Sequence, residues 1–403
     1  MSDPMFQSFW MAGFECSCHR RLGGRRLDLI AATGHDHFAA ADYARARDLG
    51  MATVRDGVRW HRVEPAPGRW DFSSLLPQVR AARETGVQVI WDLCHYGWPD
   101  DLDDLDVFRP DFVDRFAAYA RAVARLIAAE TDEPPWYTPV NEMSFWAWAG
   151  GEVGAFNPFA TGRGFELKAQ LARAFLAAAD AVWSVDSRAR VLTCEPAIHV
   201  VAGPGRPERR ADAEGHRRAQ FEAWDLVLGR LWPQLGGDER YLGVLGLNYY
   251  PENQWILDGP GVRLGDPLYR PFREILREIF DRYGRPLVVA ETGAQEGARA
   301  GWLRYVAGEV LAARRQGVPV QGICLYPILD YPGWDDDRHC HSGLWGYPGA
   351  AGERELHLPL AAELRRQMEI FRGAAAANDC NEFEDGSPVA VPGEEEREHA
   401  APS

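Results

Sequence analysis

Short, nearly unbroken apolar runs alternate along this chain with segments of helical periodicity. Runs of strand length lie at 9–16, 53–60, 87–94, 136–142, 190–195, 241–250, 286–291 and 318–328. Between them, apolar residues recur every three or four positions over 37–49, 75–84, 112–129, 165–182, 211–231, 272–283, 298–316 and 356–371. Gly50 and Gly86 punctuate the first two of these helices. Eight strands alternating with eight helices predict a parallel sheet with crossover helices. The strands are apolar on both faces, as strands covered on both sides must be. A closed (β/α)8 barrel, the TIM barrel, fits this count as one α/β domain over 1–373. An open dinucleotide-binding sheet would carry Gly-x-Gly-x-x-Gly after its first strand, and that motif is missing.

With 403 residues and 46% hydrophobic composition, the chain can bury a large core. The net charge of −15 argues against nucleic acid or an anionic membrane surface as partner. About half of that charge falls in 374–403, where eight acids stand against Arg397 amid Ala, Pro, Gly and Ser. This segment is expected to be a disordered acidic tail. Seven cysteines without framework spacing fit reduced thiols in a cytoplasmic protein. The apolar residues from Met5 to Phe14 lack a basic leader and run into Glu15, so they read as a strand rather than a signal peptide. No run reaches the ~18 apolar residues of a membrane span.

The chemistry gathers where the strands end. Glu15 and His19 follow strand one, and Arg55 and Arg59 lie in strand two. Asp92 and His95 end strand three, Asn141 and Glu142 strand four, and Glu195 strand five. Asn248 and Tyr250 end strand six and Glu291 strand seven, while Tyr326, Asp330 and Trp334 lie at or after strand eight. Barrel active sites are built at these ends, and burying so many polar groups costs free energy unless they are satisfied or used. Trp136–Glu142 and Leu287–Glu291 share one design, an apolar strand that stops at a carboxylate. Strands four and seven stand roughly across the mouth from each other. Two carboxyl groups about 5–5.5 Å apart suit glycoside hydrolysis by double displacement, one as nucleophile and one as acid/base. Their environments must split their pKa values, and Arg55 with the Tyr250 hydroxyl could hold one of them charged. The 15 Trp, 13 Tyr and 18 Phe residues could furnish platforms for sugar rings as well as core.

From about residue 6 to 372 the chain resembles the retaining glycoside hydrolases of clan A, most of all family 1, the β-glucosidase and β-galactosidase group. Val54-Arg55-Asp56-Gly57-Val58-Arg59-Trp60-His61-Arg62-Val63-Glu64-Pro65 is similar to the family's second-strand Tyr-Arg-Phe-Ser-Ile-Ser-Trp-x-Arg-Ile-x-Pro. His95 falls on the His of the third-strand His-Trp-x-x-Pro region, and Thr138-Pro139-Val140-Asn141-Glu142 resembles Thr-x-Asn-Glu-Pro. Asn248-Tyr249-Tyr250 resembles the sixth-strand Asn-Tyr-Tyr, and Glu291-Thr292-Gly293 the Glu-Asn-Gly that follows strand seven. Leu329-Asp330 and Trp334 resemble the eighth-strand region with its Trp platform. The resemblance implies that Glu142 is the acid/base and Glu291 the nucleophile. It also implies that Asn141 contacts the sugar 2-hydroxyl, that Tyr250 touches the nucleophile, and that Arg55, His95, Asn248 and Trp334 complete the sugar site.

Departures fall on the residues that read the other hydroxyls. The first-strand Gln of the family corresponds to His19, the eighth-strand Trp-Ser to Tyr326-Pro327, and the Glu before the platform Trp to Gly333. Gly333 is expected to open the pocket toward a substituted or longer glycan. Glu195 is a rival carboxylate, but Pro196 follows it and it has no evident partner. Cys16, Cys18, His19, His339, Cys340 and His341 are metal-ligand types, yet their spacing is not that of a structural zinc site. They are expected to line the pocket as polar groups and reduced thiols, with neither metal nor cofactor required. The expected activity is a retaining β-glycosidase on a carbohydrate substrate, β-glucosidase-like. An endo-acting enzyme or transglycosidase would use the same two carboxylates. A non-catalytic sugar-binding barrel would not need them.

Overall fold

The eight apolar runs become short parallel strands: β1 (Trp10–Gly13), β2 (Thr53–Gly57), β3 (Gln88–Asp92), β4 (Trp136–Thr138), β5 (Arg190–Pro196), β6 (Val244–Asn248), β7 (Leu287–Thr292) and β8 (Val320–Leu325). They pair in sequence order, and β8 closes the barrel by placing Ile323 opposite Trp10 and Leu325 opposite Ala12. The computed structural model describes residues 4–334 and 336–384. Among these, no helix is long and apolar enough to cross a membrane.

Helices wrap the barrel at His35–Asp48, Leu76–Thr85, Pro110–Glu130, Gly164–Trp183, Phe272–Tyr283, Arg299–Arg315 and Leu358–Glu384. Gly86 closes its helix in the left-handed conformation (φ 68°), which costs glycine no Cβ clash. Two segments depart from the pattern. The periodicity over 211–231 is split into Arg210–Arg218 and Glu222–Val227 by a tight turn at Ala219–Phe221. The run over 53–60 leaves the sheet at Gly57, and Trp60–Val63 forms a helical turn instead. The final helix continues through Glu384, past position 374, and the remainder of the expected acidic tail, 385–403, lies outside the described residues.

Side-chain alternation divides the core in two. Met11, Ile90, Trp136, Leu192, Val288 and Ala290 fill the barrel interior, where Phe6 packs on Trp136 with ring centroids 4.5 Å apart. Residues of opposite parity, such as Val54, Trp91, Tyr137 and Val289, pack outward against the helices. Each fully buried apolar side chain of this kind contributes about 1.5–3 kcal/mol. β2 shows the division most plainly, since Val54 and Asp56 face the helices while Arg55 between them faces the mouth.

Candidate active site

Strict alternation along β7 would turn Glu291 away from the mouth, because Val288 and Ala290 already point inward. A bulge prevents this. β7 advances from Val289 to Glu291 while β6 advances by one residue, from Leu247 to Asn248. β8 shows the same offset, with Ile323 opposite Val289 and Leu325 opposite Thr292. The extra residue rotates Glu291 back to the inner face. Thr292 takes the outer face, where its hydroxyl accepts from the Trp302 indole at 2.9 Å.

Glu142 is delivered differently. Past the end of β4, the Asn141 amide donates to the Cys94 carbonyl and the Glu142 amide to the Cys194 carbonyl, each at 3.0 Å. The chain thus leans first toward β3 and then toward β5. Glu142 makes the turn in the left-handed region at φ 44° and starts the short helix Met143–Trp146. That conformation costs a residue with a Cβ about 1–2 kcal/mol, and it turns Glu142 onto the cavity wall while Asn141 lies directly behind.

Arg55, 1% exposed, joins the site together. Its Nε and Nη2 donate to the two Asp92 oxygens at 3.0 and 2.7 Å. Nη2 also reaches Asn141 Oδ1 at 2.7 Å, and Nη1 reaches Glu291 Oε1 at 2.6 Å. The Tyr250 hydroxyl donates to Glu291 Oε2 at 2.8 Å. Glu291 therefore has a cation on one oxygen and a hydroxyl on the other. Because Arg55 fixes the Asn141 oxygen, the Asn141 amide nitrogen faces His95 Nε2 and the Tyr96 hydroxyl, both at 3.0 Å. His95 must then donate through Nδ1, which lies 3.0 Å from Asp92 Oδ2.

Among the described residues, no cation pairs with Glu142. Asn248 Nδ2 donates to its Oε1 at 3.0 Å, and the Tyr96 hydroxyl makes a short bond to Oε2. Burial, reinforced by the charge of Glu291, pushes its pKa up to about 8, against the pull of those two donors. It thus keeps its proton at neutral pH. Glu195 sits behind it, away from the cavity, with Oε2 accepting from the Ser144 amide at 3.0 Å. Burial pushes the Glu195 pKa up to about 7.

Glu142 and Glu291 share the wall of a cavity of about 920 Å³ with Glu15, His95, Tyr96, Tyr250 and Trp334, at the upper end of the ~300–1,000 Å³ common for ligand clefts. Arg55, Asn141 and Asn248 stand one layer behind, holding the carboxylates. His19 is also one layer back: its ring lies 4.6 Å from Trp334 and 4.9 Å from Phe156, and burial pushes its pKa down to about 3. The strand-one residue on the cavity wall is Glu15. Gly333 is not on this wall; it lines a separate cavity of about 200 Å³ with Tyr331, Trp334, Asp336 and Arg338.

Beside the two glutamates, the wall residues Glu15 and Tyr96 are not among the site residues expected from the sequence. Glu15 was visible as a strand-end acid. Tyr96 carried no signal, since its reach to Glu142 depends on a left-handed backbone at φ 67°. Of the metal-ligand types near strands one and eight, Cys16 approaches Asp92 and His95, with its sulfur 3.1 Å from His95 Nδ1. Arg55 already holds both Asp92 oxygens there, so a cation is in place. His341 is bound separately to Asp330 at 2.8 Å.

No sequence-family model matches the chain, and no curated protein matches it in sequence. Solved structures do match. A family 1 β-glucosidase from Thermotoga maritima is 16% identical with a TM-score of 0.74, covering 91% of this chain and 99% of its own. The β-glucosidase of that organism in complex with glucoimidazole is 16% identical with a TM-score of 0.73, covering 89% and 97%. The β-glycosidase from Thermosphaera aggregans is 18% identical with a TM-score of 0.69, covering 91% and 97%. Along about nine-tenths of its length, the chain has the (β/α)8 fold of these β-glycosidases.

Proposed function

We propose that this chain is a retaining β-glycosidase. The observation that carries the reading is the unequal treatment of two glutamates facing one cavity. Glu291 is held by a guanidinium and a hydroxyl, whereas Glu142 is buried without a cation and keeps its proton. Glu291 attacks the anomeric carbon as the bond to the leaving oxygen breaks, and that oxygen takes the proton of Glu142. In the second step Glu142, now a carboxylate, removes a proton from water as the water displaces Glu291 from the anomeric carbon. The acid is restored and the configuration retained. Asn141, fixed by Arg55, donates to the Tyr96 hydroxyl, which in turn binds Glu142.

Glu291→Ala is expected to abolish turnover of aryl β-glycosides, and azide should restore part of it with inverted product. Wild-type activity in Glu291→Ala would sink the reading. An oligosaccharide-trimming or transglycosylating enzyme is the second reading. It is favoured by the continuation of the cavity past Glu142 to Trp148, Phe165 and Trp255. Trp148 is 50% exposed, as a platform for further sugar units would be. Product sizes from a defined oligosaccharide separate the two.

A further inference from the structure

Three carboxylates line the inner end of the cavity, and the glycosidase reading uses two. The third, Glu15, lies two residues beyond β1 and is 7% exposed. Its Oε1 is fixed locally, accepting from the Ser17 amide at 3.0 Å and the Ser17 hydroxyl at 2.5 Å. Its Oε2 has no hydrogen-bond partner among the described residues, and the side chain forms part of the cavity wall. Nor does Glu15 have a cation of its own, because Arg55 is committed to Asp92, Asn141 and Glu291. The Oε2 oxygen opens onto the cavity, where a ligand can supply donors that the protein does not. Burial pushes the Glu15 pKa up, and His95, the main influence opposing it, is already bonded to Asp92 and Asn141.

The rest of the wall points the same way. Among the described lining residues Lys168 is the one Lys or Arg, and its Nζ is bound to Glu222 at 2.6 Å. A sugar bearing a carboxylate or phosphate would find no free Lys or Arg among the described lining residues, and would sit against the carboxylates of Glu15 and Glu291. A neutral sugar brings hydroxyl donors and no such repulsion.

We propose that Glu15 is a specificity-determining residue: its Oε2 accepts hydrogen bonds from hydroxyls of a neutral sugar seated at Glu291, and its charge excludes anionic sugars. This rests on the glycosidase reading, and it names the substrate class of that site. The serine turn at Ser17 fixes one oxygen so that the other presents a constant acceptor direction. Trp334, on the same wall, offers a fluorescent reporter of occupancy.

The test is a tryptophan-fluorescence titration of the full chain, its Glu15→Gln and its Glu15→Ala forms, with glucose, galactose, xylose, glucuronate and glucose 6-phosphate. Aryl β-glycoside turnover is measured in parallel. The wild type is expected to bind at least one neutral sugar and neither anionic one. Both variants should weaken neutral binding about 10- to 100-fold, the range of a hydrogen bond to a charged group. They should also narrow the gap between neutral and anionic sugars. Thermal melts establish that the variants are folded, and Glu15→Gln, nearly the same shape, guards against collapse of the site. Unchanged neutral affinity in a folded Glu15→Gln overturns the proposal, as does wild-type preference for an anionic sugar or binding of none. Glu15-dependent sugar binding without turnover would instead uphold Glu15 and bring down the glycosidase reading.

Discussion

Arg55 and Asp56 are neighbours on β2, and each centres a buried polar network, yet the two networks differ in kind. Asp56 faces the helices. Its Oδ2 accepts from His35 Nε2 and Gln78 Nε2, both at 2.9 Å, and makes a short bond with Tyr43. The other ring nitrogen of His35 lies 2.9 Å from Asp42, which in turn holds Arg354 and Arg45. None of these residues lines the cavity, and every charge has a partner within the protein. The Arg55 network opens instead onto the mouth, where Glu142 lacks a cation and Glu15 keeps an oxygen free. A closed network stabilises the fold. An open one sets unsatisfied groups where a ligand can reach them, and it costs stability to do so.

Substitutions in the two networks should therefore separate activity from stability. The largest effect belongs to the open one. Glu142→Gln should lower kcat/KM for substrates with poor leaving groups by about 10²–10⁴-fold, the usual worth of general acid–base catalysis. Thermal melts at pH 9 should show the variant no less stable than the parent, because burial penalises the ionised carboxylate. Loss of stability with activity kept would erase the comparison.

His35→Asn is the mirror experiment. Breaking a buried ion network costs about 3–5 kcal/mol, visible as a lower denaturant midpoint, with kcat/KM of the folded fraction unchanged. The pH dependence follows. Burial alone would lower the His35 pKa, but Asp56 and Asp42 raise it from 6.5 to about 9. A group whose folded pKa is raised gives its full stabilisation below the unfolded pKa. This contribution, on the order of 3 kcal/mol, should thus be complete below pH 6.5 and lost as pH climbs toward 9. In His35→Asn that slope should flatten; an equal slope would assign it elsewhere.

The smallest effect concerns the acid itself. With Glu142 at about 8, kcat/KM should hold through neutral pH and fall above pH 8. Tyr96→Phe removes a donor to the carboxylate, so this alkaline limb should move upward. A hydrogen bond of about 0.5–1.5 kcal/mol corresponds to roughly 0.4–1 pH unit. A downward shift would mean that Tyr96 stabilises the protonated form.

Much of the barrel was legible in the sequence, because strands covered on both faces must be apolar throughout, and eight such runs alternate with helices. The face that each residue occupies was less so. Glu291 lies inside only because of a bulge beside Asn248, and period-two alternation counted from Val288 gives the opposite side. Glu142 and Tyr96 owe their aim to left-handed backbones that no side-chain pattern encodes. At the first strand, resemblance directed attention to His19. β1 ends at Gly13, so the first carboxylate past it reaches the wall while His19 packs behind Trp334. Gly333 opens onto a separate space beside Trp334 rather than onto the wall that carries the two glutamates.

The central claim is that the open network makes Glu291 a nucleophile. Incubation with an activated aryl 2-deoxy-2-fluoro-β-glycoside, followed by peptide mass mapping, tests it most directly. The account predicts time-dependent inactivation and one covalently bound sugar on the peptide carrying Glu291. A sugar bound to Glu142, Glu15 or Glu195 instead, or turnover of the parent glycoside with no adduct at all, would contradict it.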